Sequence, residues 1–127
     1  LALRAPAVRR FALRSTAADG ARVPRAEILA IVADLLACDV AQDLLDTPEA
    51  LAPLDPVPCP ITIAWSERDA LLLPEVNGAL ARTLVPGADH VTLPGVGHVP
   101  MLDDPALVAR TIRAAIARGA AVAVETP

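Results

Sequence analysis

Two side chains in this sequence are suited to acid–base work: an imidazole flanked by glycines, and a carboxylate at the end of a separate apolar run. His98 lies in LPGVGHVPMLDDPALV, Leu93 to Val108, between the β-type run HVTL and a helix start marked by Asp103, Asp104 and Pro105. Gly95 and Gly97 permit a sharp turn and a close approach of neighbours, and Pro100 stiffens the exit, so the imidazole can be held in one orientation. Asp69 ends a second stretch, ITIAWSERD, Ile61 to Asp69. A carboxylate beside a histidine can accept its Nδ1 proton, fix the tautomer and stabilise the imidazolium, leaving Nε2 to take a proton from a nucleophile.

The elements that must bring these two groups together follow from periodicity. ITIAW, Ile61 to Trp65, is a short apolar, β-branched run of the kind found in a strand buried on both faces. SERDALLLP forms a polar turn and a loop, and Pro74 opens a helix with Val76, Leu80 and Leu84 on one side, ended by Pro86 and Gly87. HVTL, His90 to Leu93, is the second strand. A last helix spans Asp104 to about Arg118, with Asp103 or Asp104 as N-cap. Leu107, Ile112 and Ile116 form its apolar face, Arg113 and Arg118 complement its C-terminal dipole, and Gly119 is placed for a C-terminal cap before a frayed tail. Strand, helix, strand is the grammar of a parallel sheet, in which the loops after Trp65 and after Leu93 leave by the same edge. That edge is where Asp69 and His98 can meet.

Upstream, residues 1–24 carry Arg4, Arg9, Arg10 and Arg14 among Leu and Ala and read as a surface helix followed by a turn at Ala18 to Gly20. From Arg25 to about Leu45 the pattern is helical, with Ile28, Val32, Leu35 and Leu36 on one stripe. Pro48, Pro53, Pro56, Pro58 and Pro60 then favour a stiff, extended connector.

Composition bounds the function classes. The chain has 127 residues, 54% of them hydrophobic, and a net charge of -4, as expected for one modest globular domain. All 11 basic residues are arginine; an acidic balance with one Trp, one Phe and no Tyr gives no footprint for nucleic acid. Asp34 and Asp39 interrupt the longest apolar candidate, so no membrane partner is expected. Cys38 and Cys59 have no metal-type spacing and form no disulfide framework, which fits a reducing cytoplasm. No H-E-x-x-H or paired-cysteine pattern points to a metal, and no cofactor is expected. A dinucleotide fingerprint at Gly95-Val96-Gly97 fails because the third glycine position is Pro100.

PITIAWSERD, Pro60 to Asp69, and LPGVGHVPMLDDPALV resemble the α/β-hydrolase family, specifically the penultimate strand with its acid turn, the histidine loop and the final helix. That resemblance implies a partial α/β-hydrolase fold of class α/β: the last two parallel strands with flanking helices, preceded by part of a helical cap. It divides the chain into cap at 1–52, proline-rich connector at 53–60, C-terminal part of the core at 61–118 and tail at 119–127. It implies Asp69 as triad acid and His98 as general base. Ser66 stands where the family usually has glycine, and Ala70 where proline is frequent. The family's nucleophile elbow, G-x-S-x-G, and an oxyanion motif such as HGGG do not occur in these 127 residues. In chain order they precede the cap, so the reading is of a C-terminal piece whose missing N-terminal half would dock on the open strand edge. Ser15 and Ser66, the only serines, read as surface residues.

The function expected on this basis is hydrolysis of ester-like bonds in a small-molecule substrate by a nucleophile–His–Asp triad, with this chain alone incomplete. Epoxide hydrolysis is disfavoured, since that branch uses cap tyrosines and this chain has none. The alternative is a non-catalytic remnant or interaction module with the same fold. Among other residues, His90 reads as a solvent-facing strand start, Asp103 and Asp104 as capping groups, and Trp65 as either pocket lining or packing.

Overall fold

In the computed structural model the described residues are 2–40, 43, 46 and 52–125. The fold is α/β: two short parallel strands with helices before, between and after them. A 3-10 turn at Ala2–Arg4 leads into α1, Pro6–Ala12, and then α2, Arg25–Leu36. Strand β1 is Thr62–Ser66. A π-helical turn, Pro74–Gly78, runs into α3, Ala79–Leu84, and β2 is Asp89–Leu93. The short α4, Pro100–Asp103, precedes the long α5, Pro105–Glu125.

β1 and β2 pair in parallel, from Thr62 opposite Asp89 to Ser66 opposite Leu93. The pairing continues past the strand ends, because the Glu67 N–H donates to Leu93 C=O at 2.9 Å and the Arg68 N–H to Val96 C=O at 3.0 Å. Both loops therefore leave by one edge, as the strand–helix–strand order predicts. The expectation that the Ile61–Trp65 strand is buried on both faces is not met. Only Ser66 and Leu93 are buried, Ala64 is exposed, and the other positions are half-covered or open. A two-stranded sheet has too few neighbours to cover β-branched side chains on both sides.

The densest packing lies elsewhere. Ala17, Val23 and Ile28 form a small buried cluster, with Leu3, Leu13 and Leu102 packed against it. Arg9 knits this N-terminal region from within: its guanidinium donates to the carbonyls of Leu3, Arg4 and Ala21 at 3.0, 3.0 and 2.7 Å. An arginine expected on a surface helix is thus a structural tie, able to reach three carbonyls because guanidinium presents five donors in a rigid fork.

α2 is shorter than the periodicity predicts. It ends at Leu36, followed by a turn over Cys38, Asp39 and Val40, residues that favour helix less than the Ala and Leu before them. The remainder of the expected helix, at 41, 42, 44 and 45, and the start of the proline-rich stretch at 47–51 lie outside the described residues. Of the predicted stripe only Ile28 is buried; Val32, Leu35 and Leu36 are exposed. From Ala52 to Ile61 the connector has no regular element, as its prolines dictate.

At the other end α5 runs through Gly119 to Glu125, so Gly119 is an interior helical residue and not a cap; the last two positions of the expected tail lie outside the described residues. Flanking alanines have the highest helix propensity and carry the helix across the glycine. Arg118, read as a dipole partner, instead reaches the strand starts, with an ion pair to Asp89 at 3.4 Å and a hydrogen bond to Thr62 Oγ1 at 3.3 Å. Among the predicted apolar positions of α5, Ile112 and Ile116 stand open.

The molecule exposes 8983 Å². A compact chain of 13.1 kDa exposes about 6,400 Å² by the surface scaling of monomeric proteins. Among the described residues, exposed apolar side chains lie on α2, the Leu71–Leu73 loop and α5.

Because a side chain at Gly119 would meet nothing within 4 Å, Gly119→Ala should stabilise the chain by roughly 0.5–1 kcal/mol through lower backbone entropy in the unfolded state. Urea unfolding checks this; a loss of stability would show that α5 does not continue through residue 119.

Candidate active site

Asp69 and His98 meet at the carboxyl edge of the sheet. Asp69 sits three residues beyond the end of β1, where its N–H donates to Ser66 C=O at 3.3 Å and closes the turn. The carboxylate is buried, and its Oδ1 accepts the N–H groups of Leu71 and Leu72 at 3.0 and 2.8 Å. His98 Nδ1 lies 2.9 Å from Oδ2 and 3.1 Å from Oδ1. Since an ionised carboxylate only accepts, Nδ1 carries the proton and donates it. That tautomer leaves the lone pair on Nε2, which has no hydrogen-bond partner among the described residues.

Burial pushes the Asp69 carboxyl up, but the hydrogen bond from His98, those from Leu72 and Leu71, and the charge of His98 outweigh it and hold the group below its usual value. The acid thus stays ionised at neutral pH, as a group that steers an imidazole must.

Four contacts hold the histidine loop. Glu67 Oε2 accepts the Gly95 N–H at 2.7 Å, at a residue whose φ of +73° lies in the left-handed region that suits glycine. The Arg68 N–H holds Val96 C=O, and the Val99 N–H donates to Thr16 C=O at 2.7 Å. Asp103 Oδ2 accepts the Gly97 N–H at 2.8 Å. Gly97 is a glycine for a different reason from Gly95: a Cβ there would lie 2.6 Å from the Ala18 nitrogen and 2.7 Å from the Ala17 carbonyl carbon.

Several residues read differently from their sequence context. Asp104 is the N-cap of α5, accepting the Leu107 N–H at 2.8 Å, as expected. Asp103 is not a cap; its carboxylate also accepts the N–H groups of Ala18 and Asp19 at 2.8 and 3.2 Å. Ser66, expected on the surface, is 5% exposed, because the last residue of β1 is covered by the two loops that leave beside it. His90, expected to face solvent, is half-buried, and its Nε2 has no partner among the described residues. Trp65 packs its ring on Gly78 and donates its Nε1–H to Leu72 C=O at 3.3 Å, which supports the acid loop.

The roles of Glu67 and Asp103 were not legible in the sequence. Each is an acid within a few residues of an expected site group, but what they bind is a backbone amide of another segment, for which sequence carries no signal. A polar cleft lined by Asp19, Arg22, Arg68, Asp103 and Asp104 opens beside Gly95 and Val96; neither Asp69 nor His98 lines it. Among the described residues no group of three or more His, Cys, Asp or Glu could hold a metal ion. No helix among them is long and apolar enough to cross a membrane.

The lowered pKa of Asp69 sets a sign for pH dependence. A carboxyl more acidic in the folded state than in the unfolded chain contributes stability above its ordinary value of about 3.9, and that contribution fades as pH falls through the lowered folded value. The stability gap between the native sequence and Asp69→Asn should therefore be widest near neutrality and close below about pH 4. Denaturant titrations of both proteins from neutral to acid pH measure it; two parallel profiles would mean that the carboxylate is not held by His98.

Comparison with curated proteins and with solved structures gives no match. A family profile described as the alpha/beta hydrolase family matches residues 1–111, a span that contains Asp69, His98 and both strands and reaches well upstream of the two recognisable motifs. With two parallel strands, a strand-end acid and a loop histidine in contact, and most of its length matched by that profile, the chain belongs to the α/β-hydrolase family.

Proposed function

We propose that this chain carries the acid and the general base of a hydrolase of ester-like bonds, whose nucleophile and oxyanion donors come from sequence outside these 127 residues. The observation that carries the reading is the 2.9 Å contact between His98 Nδ1 and Asp69 Oδ2. In this mechanism Nε2 of His98 takes the proton of the nucleophile as it attacks the acyl carbon, and returns it to the leaving group as the bond breaks. Water then repeats the cycle against the acyl-enzyme, with the same nitrogen as base. Asp69 stays ionised throughout, holding the tautomer and stabilising the imidazolium.

The scale of each contribution follows from triad chemistry. Replacing the orienting acid in a serine-protease triad costs about 10⁴ in turnover, roughly 5 kcal/mol of barrier. No cofactor enters the scheme. The open apolar face of α2 supports a cap role for that segment, above a small-molecule substrate. Two exposed free cysteines support a reducing, cytoplasmic setting. The free edge of β1 is the proposed docking line for the segment that bears the nucleophile. One observation favours a second reading, a non-catalytic module of the same fold: no nucleophile elbow occurs in this sequence.

The deciding experiment expresses the chain together with the upstream sequence of its reading frame and follows hydrolysis of an activated ester. His98→Ala should lower kcat by at least about 10⁴-fold with the melting profile preserved. Near-native turnover in that variant would remove His98 from the mechanism, and binding without turnover in the unmutated protein would favour the non-catalytic module.

A further inference from the structure

We propose that Asp103 is a positioning residue for His98: it clamps the histidine loop to the Thr16–Asp19 turn and so sets the orientation of the imidazole. The inference rests on reading His98 as the general base.

Among the described residues Asp103 has three hydrogen-bond partners, all of them backbone N–H groups. Oδ2 accepts the N–H groups of Ala18 and Gly97, both at 2.8 Å, and Oδ1 accepts that of Asp19 at 3.2 Å. Helix capping, the ordinary role of an acid before Pro105, is already filled by Asp104 on Leu107. Gly97 and Val99 flank His98 directly. The first is tied through Asp103 to the amides of Ala18 and Asp19, and the second donates straight to Thr16 C=O at 2.7 Å. The peptide units on both sides of the imidazole are thereby fastened to the same four-residue turn, whose Ala18 and Asp19 lie 85 and 84 positions from Asp103 in sequence.

Packing points the same way. The backbone of Ala17 and Ala18 occupies the space that a side chain at residue 97 would need, so the turn and the loop touch main chain to main chain. Ala17 belongs to the buried cluster with Val23 and Ile28, and Leu102, next to Asp103, packs on that cluster. The turn is therefore a fixed platform. A carboxylate suits the clamp because it accepts several N–H groups at once through two oxygens and brings no donor to oppose them, whereas an amide of equal shape turns an NH₂ toward one of those N–H groups. Asp103 touches neither Asp69 nor the imidazole; its effect on His98 passes through Gly97.

Proton NMR of the 127-residue chain tests this. A strongly hydrogen-bonded Nδ1–H of His98 gives a downfield resonance, assigned by its loss in Asp69→Asn. In Asp103→Asn that resonance should broaden or vanish and exchange of the Gly97 amide should accelerate, while Asp104→Asn, which weakens only the α5 cap, should leave both unchanged. An unaltered resonance in folded Asp103→Asn overturns the proposal and leaves the base assignment standing. Its absence from the native chain overturns the base assignment, and the proposal with it. If Asp103→Asn does not fold, hydrogen exchange on the native chain decides: the amides of Ala18, Asp19 and Gly97 should open together with the His98 Nδ1–H, and an imidazole proton exchanging far faster than all three contradicts the clamp.

Discussion

Parallel pairing of two five-residue strands is the constraint from which the site follows. With Thr62 opposite Asp89 and Ser66 opposite Leu93, both chains reach the same edge at the same height. The ladder then runs on into the loops, through Glu67 to Leu93 and Arg68 to Val96. Register transmitted in this way leaves little freedom to the residues beyond it. Asp69 and His98, 29 positions apart in sequence, meet because each is carried a short, hydrogen-bonded distance past a paired strand end. An antiparallel pair would send the two loops to opposite rims.

The support of that contact is almost entirely polar. Asp69 is satisfied by two amides and an imidazole, Glu67 by one amide, Asp103 by three. Carboxylates serve here as acceptors for main-chain N–H groups in tight loops that have no secondary-structure partner. The apolar contribution to this corner is small: one cluster around Val23 and the buried pair Leu93 and Val96. Elsewhere the fold leaves broad apolar faces on α2 and α5 open to solvent.

Much of this was legible in the sequence where local chemistry decides the outcome. Short apolar runs and proline-marked helix starts located both strands and α5, and the cap expected at Asp103 or Asp104 falls to Asp104. Glycines at 95 and 97 announced a constrained turn, although the reasons differ, one being a positive φ and the other a close approach. Long-range outcomes were not legible. Nothing local distinguishes Asp103 from Asp104, yet one caps its own helix and the other binds a turn near the N-terminus. Periodicity placed Val32, Leu35, Ile112 and Ile116 on apolar stripes, but whether a stripe is covered depends on neighbours that the stripe does not encode. Gly119 signals a helix end locally, but the alanines around it carry α5 on to Glu125.

The central claim is that Asp69 fixes the tautomer of His98. Nitrogen-15 NMR of the imidazole reads this directly, since protonated and unprotonated ring nitrogens differ widely in chemical shift. In the neutral ring the proton is expected on Nδ1 and Nε2 is expected bare, with the preference abolished in Asp69→Asn. A neutral imidazole protonated mainly on Nε2, as in free histidine, would contradict it.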